Sequence, residues 1–162
     1  MPAASILFVC LGNICRSPLA EGLFLHRARE INAHERFRVD SCGTGGWHAG
    51  ERPDPRAIAV ARKNGVELPG VARRLDPRAD ARFDLIVPMD PSNRDHLLEA
   101  GLPAERVRLL RSFDPRLAGA LDEEQSVPDP YHGGPEGFDA VFAMIDSAVL
   151  GMLEELAPIA RD

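Results

Sequence analysis

Ser5-Ile-Leu-Phe-Val9, followed at once by Cys10-Leu-Gly-Asn-Ile-Cys-Arg-Ser-Pro18, decides the fold of this chain. Ile6 to Val9 is a continuous apolar run without alternation, the pattern of a strand covered on both faces of a parallel sheet. Ser17-Pro18 then opens a helix, because proline fits a first helical turn, where its missing N–H leaves nothing unpaired. Leu19, Leu23, Phe24 and Leu25 continue an apolar stripe to about Ile31. The chain thus passes from a buried strand through a short loop into a helix. In parallel sheets ligands sit beyond the carboxyl ends of the strands, and Cys10 stands at that end of the first one.

Working outward, strands and helices alternate. Phe37 to Ser41 reads as a second strand, Arg82 to Pro88 as another buried strand, and Arg106 to Leu110 as a short last one. Arg56 to Gly65 reads as a helix with Gly65 at its end, and Pro91 to Ala100 as a helix stopped by Gly101. Pro135 to Leu156 is a long amphipathic helix, with Phe138, Val141, Phe142, Ile145, Val149, Met152 and Leu153 on one face. Cys42 to Gly46, continued from Trp47 to Pro55, reads as one loop and Phe113 to Gly134 as a longer one. The expectation is a single α/β domain over residues 1–162: a four-stranded parallel sheet flanked by helices on both faces, with a phosphate-binding loop at the C-terminal end of the first strand.

Composition removes several classes of function. With 162 residues the chain is long enough for one real core. Its net charge of −6 and the absence of a basic, aromatic-interleaved patch speak against nucleic acid as a partner. No apolar run approaches a membrane span, and none reads as a signal peptide. Three cysteines, an odd and low number, point to a reducing cytoplasm; non-classical export is compatible with this. Cys10, Cys15 and Cys42 with distant histidines lack the grouping of a metal site, so neither metal nor other cofactor is expected.

The opening loop supplies a nucleophile, a set of backbone donors and a fixed positive charge. Cys10 stands where the loop feeds a helix, so the unpaired N–H groups of the first turn favour an anion there. Arg16 adds a planar fork that binds two phosphate oxygens at once. Gly12 lets the backbone curl close to an anion. The Ser17 hydroxyl is placed to hydrogen-bond the Cys10 sulfur as attacker or leaving group. Each residue alone has an ordinary explanation, Cys10 as a small buried hydrophobe and Arg16 as a surface charge. In this strand–loop–helix setting they point together to a tetrahedral oxyanion, above all a phosphate monoester. No Walker-type phosphate loop is present.

Cys10 to Pro18 at this position resembles the low-molecular-weight protein tyrosine phosphatases. So do Ser41-Cys-Gly-Thr44, Trp47 to Arg56, Phe83-Asp-Leu-Ile-Val-Pro-Met-Asp90 and Val127-Pro-Asp-Pro-Tyr131. The resemblance implies hydrolysis of phosphotyrosine through a phosphocysteine on Cys10. Asp129 would be the acid for the leaving phenolate and then the base for water, and Arg16 would stabilise the transition state. Read from the residues alone, Asp129 is equally a turn residue of Pro128-Asp-Pro130. The resemblance makes Leu11, Gly12, Asn13, Ile14, Cys15 and Ser17 the phosphate-binding loop, and Trp47 and Tyr131 the walls around the aromatic ring. It implies a network through Asn13 and Ser41 that shapes the loop, and a reversible Cys10–Cys15 disulfide. It further implies a monomer acting on phosphotyrosine proteins, with inorganic phosphate as product and inhibitor.

The chain departs from the family pattern at three places. Gly70 stands where many eukaryotic members carry a histidine of the loop network. His132 replaces a second tyrosine of mammalian members, and Cys42 replaces a common alanine. Asp90 reads as the N-cap of the helix that follows it. Two alternatives share the fold. A protein arginine phosphatase would carry Thr in place of Ile14, whose apolar side chain suits an aryl ester. An arsenate reductase would need a further cysteine pair near residues 80 to 90, where none exists.

Overall fold

Strand β1 (Ala4–Cys10) is the centre of a parallel sheet, with β2 (Phe37–Gly43) on one side and β3 (Leu85–Pro88) on the other. The computed structural model describes residues 4–158. Ile6, Leu7, Phe8 and Val9 are all fully buried, as their unbroken apolar run predicts. Alternation along β1 divides them between two layers. Ile6 and Phe8 join the core under helices α1 (Arg16–Glu30), α2 (Pro55–Lys63) and α5 (Pro135–Leu156). Leu7 and Val9 join Ile86, Phe83 and Leu102 with Leu97 of α4 (Pro91–Glu99) on the opposite face. Helices therefore flank the sheet on both faces.

Among the described residues the sheet has three strands where the sequence predicts four. Val107 makes one isolated parallel bridge to Ile86, and the Arg108 N–H donates to the Ile86 carbonyl at 3.0 Å. The next rung of that ladder would need an N–H from Pro88, which has none. Single turns of 3₁₀ helix at Ala104–Arg106 and Leu110–Phe113 leave the segment no length to continue.

Three helix starts follow one local rule. Asp54-Pro55, Asp76-Pro77 and Asp90-Pro91 each place an aspartate at the N-cap and a proline in the first turn. The second pair opens the short α3 (Pro77–Asp80), which periodicity is too brief to reveal. α1 differs, because its N-cap Cys15 makes no side-chain capping bond. The first-turn amides of α1 are thereby left to the loop, and its residues from Arg16 to Phe24 are all buried. The long 113–134 stretch is ordered by 3₁₀ turns at Pro115–Leu117 and Asp122–Gln125. Gly151 lets α5 close on the turn before it, since a Cβ there would come within 2.0 Å of the Phe113 carbonyl oxygen.

Candidate active site

The loop between β1 and α1 is shaped by bonds from both sides. β2 continues beside it, with Thr44 N–H donating to the Cys10 carbonyl and Gly45 N–H to the Leu11 carbonyl, each at 2.9 Å. Gly43 permits this approach, because a Cβ would lie 2.8 Å from the Leu11 oxygen. From the other side Asp54 N–H donates to the Ile14 carbonyl at 2.8 Å. Among the described residues the main-chain N–H groups of Gly12, Ile14, Cys15 and Arg16 have no protein acceptor. They are the unpaired donors of a loop and helix N-terminus that together make an anion cradle.

Cys10 closes the floor of the resulting cleft and is 2% exposed. Its Sγ lies 2.9 Å from the Ser17 Oγ and accepts from the Asn13 N–H at 3.3 Å. Arg16 is equally buried and is held in one orientation: Nη1 donates to Asp90 Oδ2 at 2.6 Å and to the Val127 carbonyl at 3.0 Å. Its other terminal nitrogen, Nη2, lies 3.6 Å from Asp129 Oδ2. Asp129 is the more exposed partner and accepts from the Tyr131 N–H at 3.1 Å. Nucleophile candidate, cation and carboxylate, far apart in sequence, thus line one cleft.

Leu11, Gly12, Ile14 and Cys15 line that cleft together with Trp47 and Tyr131. Trp47 is 72% exposed, its ring laid against Gly45, where a Cβ would collide with it. Asn13 and Ser17 do not line the cleft; they stand beneath its floor as braces. Asn13, rather than Gly12, is the loop's left-handed residue, with φ of 57°. The smallness of Gly12 instead makes room for His48, whose Cδ2 would be 3.2 Å from an added Cβ.

The brace network explains how the loop is held without a histidine at position 70. Asn13 Nδ2 donates to Ser17 Oγ at 2.7 Å and to Ser41 Oγ at 3.0 Å. Asn13 Oδ1 accepts from the Arg73 backbone N–H at 3.0 Å. Gly70 turns the chain with φ of 73°, and Arg52 fixes that turn by donating to the Gly70 and Leu68 carbonyls at 2.6 and 3.2 Å. Ser41 in turn donates to Glu21 Oε1 at 2.6 Å. Burial pushes the Glu21 carboxyl up to about 7, against a partial pull downward by the Ser41 bond. Burial, and then the nearby Asp54, hold the Cys15 thiol well above its ordinary range. Cys42 is buried within the sheet beside Val9, the small core residue its position suggests.

Sequence reasoning missed four participants. Asp90 is both the predicted N-cap, accepting from Asn93 N–H at 2.7 Å, and the partner of Arg16. Glu21 is one charge among the ordinary charges of a helix until its face proves buried. His48 and His132 flank Tyr131 at the cleft, with ring centroids 6.2 and 5.0 Å from its own. The Asp90 signal was its place at the carboxyl end of β3; the others carry none in one sequence.

Residues 5–160 match the family model described as low molecular weight phosphotyrosine protein phosphatase. A protein of Streptomyces coelicolor named low molecular weight protein-tyrosine-phosphatase is 43% identical over 152 residues, covering 91% of this chain and 90% of that protein. A crystal structure of a protein tyrosine phosphatase from Entamoeba histolytica superposes with a TM-score of 0.85 at 31% identity, covering 94% of this chain and 96% of that one. A drosophila arginine phosphatase superposes with a TM-score of 0.82 at 28% identity, covering 96% and 99% of the two chains.

Proposed function

This chain belongs to the low molecular weight phosphotyrosine protein phosphatase family, and we propose that Cys10, Arg16 and Asp129 carry its reaction. The activity is that of a protein-tyrosine-phosphatase, a phosphoric monoester hydrolase. The observation that carries the residue assignment is the convergence of a buried sulfur, a buried guanidinium and a half-exposed carboxylate on one cleft floored by free amides.

The Cys10 thiolate attacks phosphorus and the P–O bond to the phenol breaks, leaving a phosphocysteine. Asp129 gives its proton to the departing phenolate oxygen. In the second step the Asp129 carboxylate takes a proton from water, which attacks phosphorus and releases the Cys10 thiolate and inorganic phosphate. Arg16 and the N–H groups of Gly12, Ile14, Cys15 and their neighbours stabilise the charge on the equatorial oxygens. The Ser17 hydroxyl stabilises the sulfur as attacker and as leaving group. Asn13, with Ser41 behind it, preserves the curl of the loop.

Trp47 and Tyr131 are the walls between which a phosphotyrosine ring stacks, and Leu11 and Ile14 add apolar surface beside the phosphate. Ile14 favours an aryl ester over phosphoarginine. The substrate is a phosphotyrosine protein, inorganic phosphate is product and inhibitor, and residues 1–162 act as one monomeric domain. Among the described residues no helix is long and apolar enough to cross a membrane; the proposed location is the cytoplasm.

The test is hydrolysis of para-nitrophenyl phosphate and of phosphotyrosine and phosphoarginine peptides. Cys10→Ser is expected to be inactive, and Asp129→Ala to lose about a hundredfold or more in kcat. An active Cys10→Ser protein overturns the covalent route. Equal turnover of the two peptides overturns the assignment of Ile14.

A further inference from the structure

The segment that carries Asp129 has little structure of its own. Tyr131 N–H folds back on Asp129, and Gly133 N–H on the Pro130 carbonyl. Among the described residues, the only hydrogen bonds that reach residues 128–134 from outside residues 128–137 come from Arg56. Its Nη2 donates to the Tyr131 carbonyl at 2.9 Å and its Nη1 to the Gly133 carbonyl at 3.1 Å. The guanidinium also lies over the Phe138 ring, 4.7 Å from its centroid, and within 5.6 Å of the Tyr131 centroid.

Arg56 is itself anchored to the phosphate-binding side of the cleft. The carboxylate of Asp54 accepts from Arg56 Nε at 3.1 Å and from Nη2 at 3.0 Å, while capping α2 through the Arg56 N–H at 2.8 Å. The N–H of the same Asp54 holds the Ile14 carbonyl at 2.8 Å. One continuous path therefore runs from the loop beneath the phosphate, through Asp54 and the Arg56 fork, to the main chain on either side of the Tyr131 turn. A planar fork holding four acceptors tolerates little displacement, unlike a single ammonium.

We propose that Arg56 is a positioning residue for the acid step, setting the distance between Asp129 and the leaving oxygen by tying the acid segment to the Cys10 loop. This rests on the assignment of Asp129 as the acid. A loosened acid segment costs most where proton donation matters most, with phenols that leave poorly as phenolates. Attack by Cys10 and binding of the phosphate do not use the tether.

The experiment measures kcat/KM for para-nitrophenyl phosphate, whose phenol leaves readily, and for phenyl phosphate, whose phenol does not. Arg56→Met is expected to lose about tenfold or more with phenyl phosphate and only about threefold with para-nitrophenyl phosphate. Arg56→Lys, which keeps the cation but not the fork, is expected to fall between Met and wild type. In an Asp129→Ala background Arg56→Met is expected to add less than about a further twofold, because the group it positions is gone. An equal loss with both substrates, or an undiminished loss in the Asp129→Ala background, overturns the inference; misfolding would give the first of these. If Asp129→Ala itself shows no dependence on the leaving phenol, the acid assignment fails and this inference falls with it.

Discussion

Arg16 and Asp90 are joined by a 2.6 Å ion pair in which the aspartate does two jobs at once. Its Oδ2 orients the guanidinium, and its Oδ1 caps α4 through the Asn93 N–H. The cation proposed to bind the phosphate is therefore held by a helix start on the far side of the sheet. The two jobs separate by mutation. Asp90→Asn keeps a competent N-cap but removes the charge beside Arg16, so kcat/KM is expected to fall about tenfold with stability near wild type. Asp90→Ala loses both, with a further destabilisation of about 1 kcal/mol from the cap alone. Steady-state kinetics and thermal unfolding of the two variants check this; equal stabilities would deny the cap its role.

Much of this arrangement was legible in the chain. The apolar run ending in Cys10, the proline in the first turn of α1 and the Asp90 cap of α4 are local signals, and the structure follows them. What was not legible depends on contacts between distant segments. Arg106 to Leu110 has the composition of a strand, but its continuation requires a donor that Pro88, on another strand, cannot supply. Asp90 has the spacing of a cap, and nothing local announces a second partner 74 residues earlier. Gly12 is the natural candidate for a tight bend, yet Asn13 takes the left-handed conformation because its amide group is paid back by three partners. Glu21 sits in a helix whose first half is buried all round, so the usual inference of a solvated charge fails.

Asn13 offers a test of that left-handed turn. Alanine removes the bonds to Ser17, Ser41 and the Arg73 N–H and also meets steric cost at φ of 57°. Glycine removes the same bonds without the steric cost. Asn13→Ala is expected to be about 1 kcal/mol less stable than Asn13→Gly. Both should lose activity, by roughly tenfold or more, because the amide cradle loses its shape. Urea unfolding of the pair is the measurement, and equal midpoints would show that the network alone sets the conformation.

Glu21 predicts a pH dependence of stability with a definite sign. Burial raises its carboxyl from an ordinary 4.5 to about 7 in the folded protein. The unfolded chain releases this proton first, near its ordinary value, while the folded chain keeps it until about pH 7. The contribution is thus fully present below the unfolded value, declines as pH rises between the two, and is lost once pH passes the folded value. Its size is on the order of 3 kcal/mol. Glu21→Gln retains an acceptor for the Ser41 hydroxyl and has no proton to lose. The difference in unfolding free energy between variant and wild type should therefore grow in favour of Gln from about pH 4.5 and level off above about pH 7. A difference that is flat across this range would mean that Glu21 ionises in the folded protein as it does in the unfolded one.

Cys15 lines the same cleft as Cys10 and is a thiol held protonated by burial and by Asp54. Peroxide is expected to convert the Cys10 thiolate to a sulfenic acid, with loss of the other peroxide oxygen as water or hydroxide. The Cys15 sulfur then attacks the Cys10 sulfur, the S–O bond breaks, and a disulfide and water result. Such an attack requires the thiolate, so the raised thiol makes this closing step slow at neutral pH and faster as pH rises. A dithiol reductant reopens the disulfide and restores activity. Cys15→Ser should lose activity to peroxide as the wild type does but recover less on reduction, since its sulfenic acid stays open to irreversible oxidation. Recovery equal to wild type, or a closing rate that does not change with pH, would show that Cys15 serves only to fill the cleft floor.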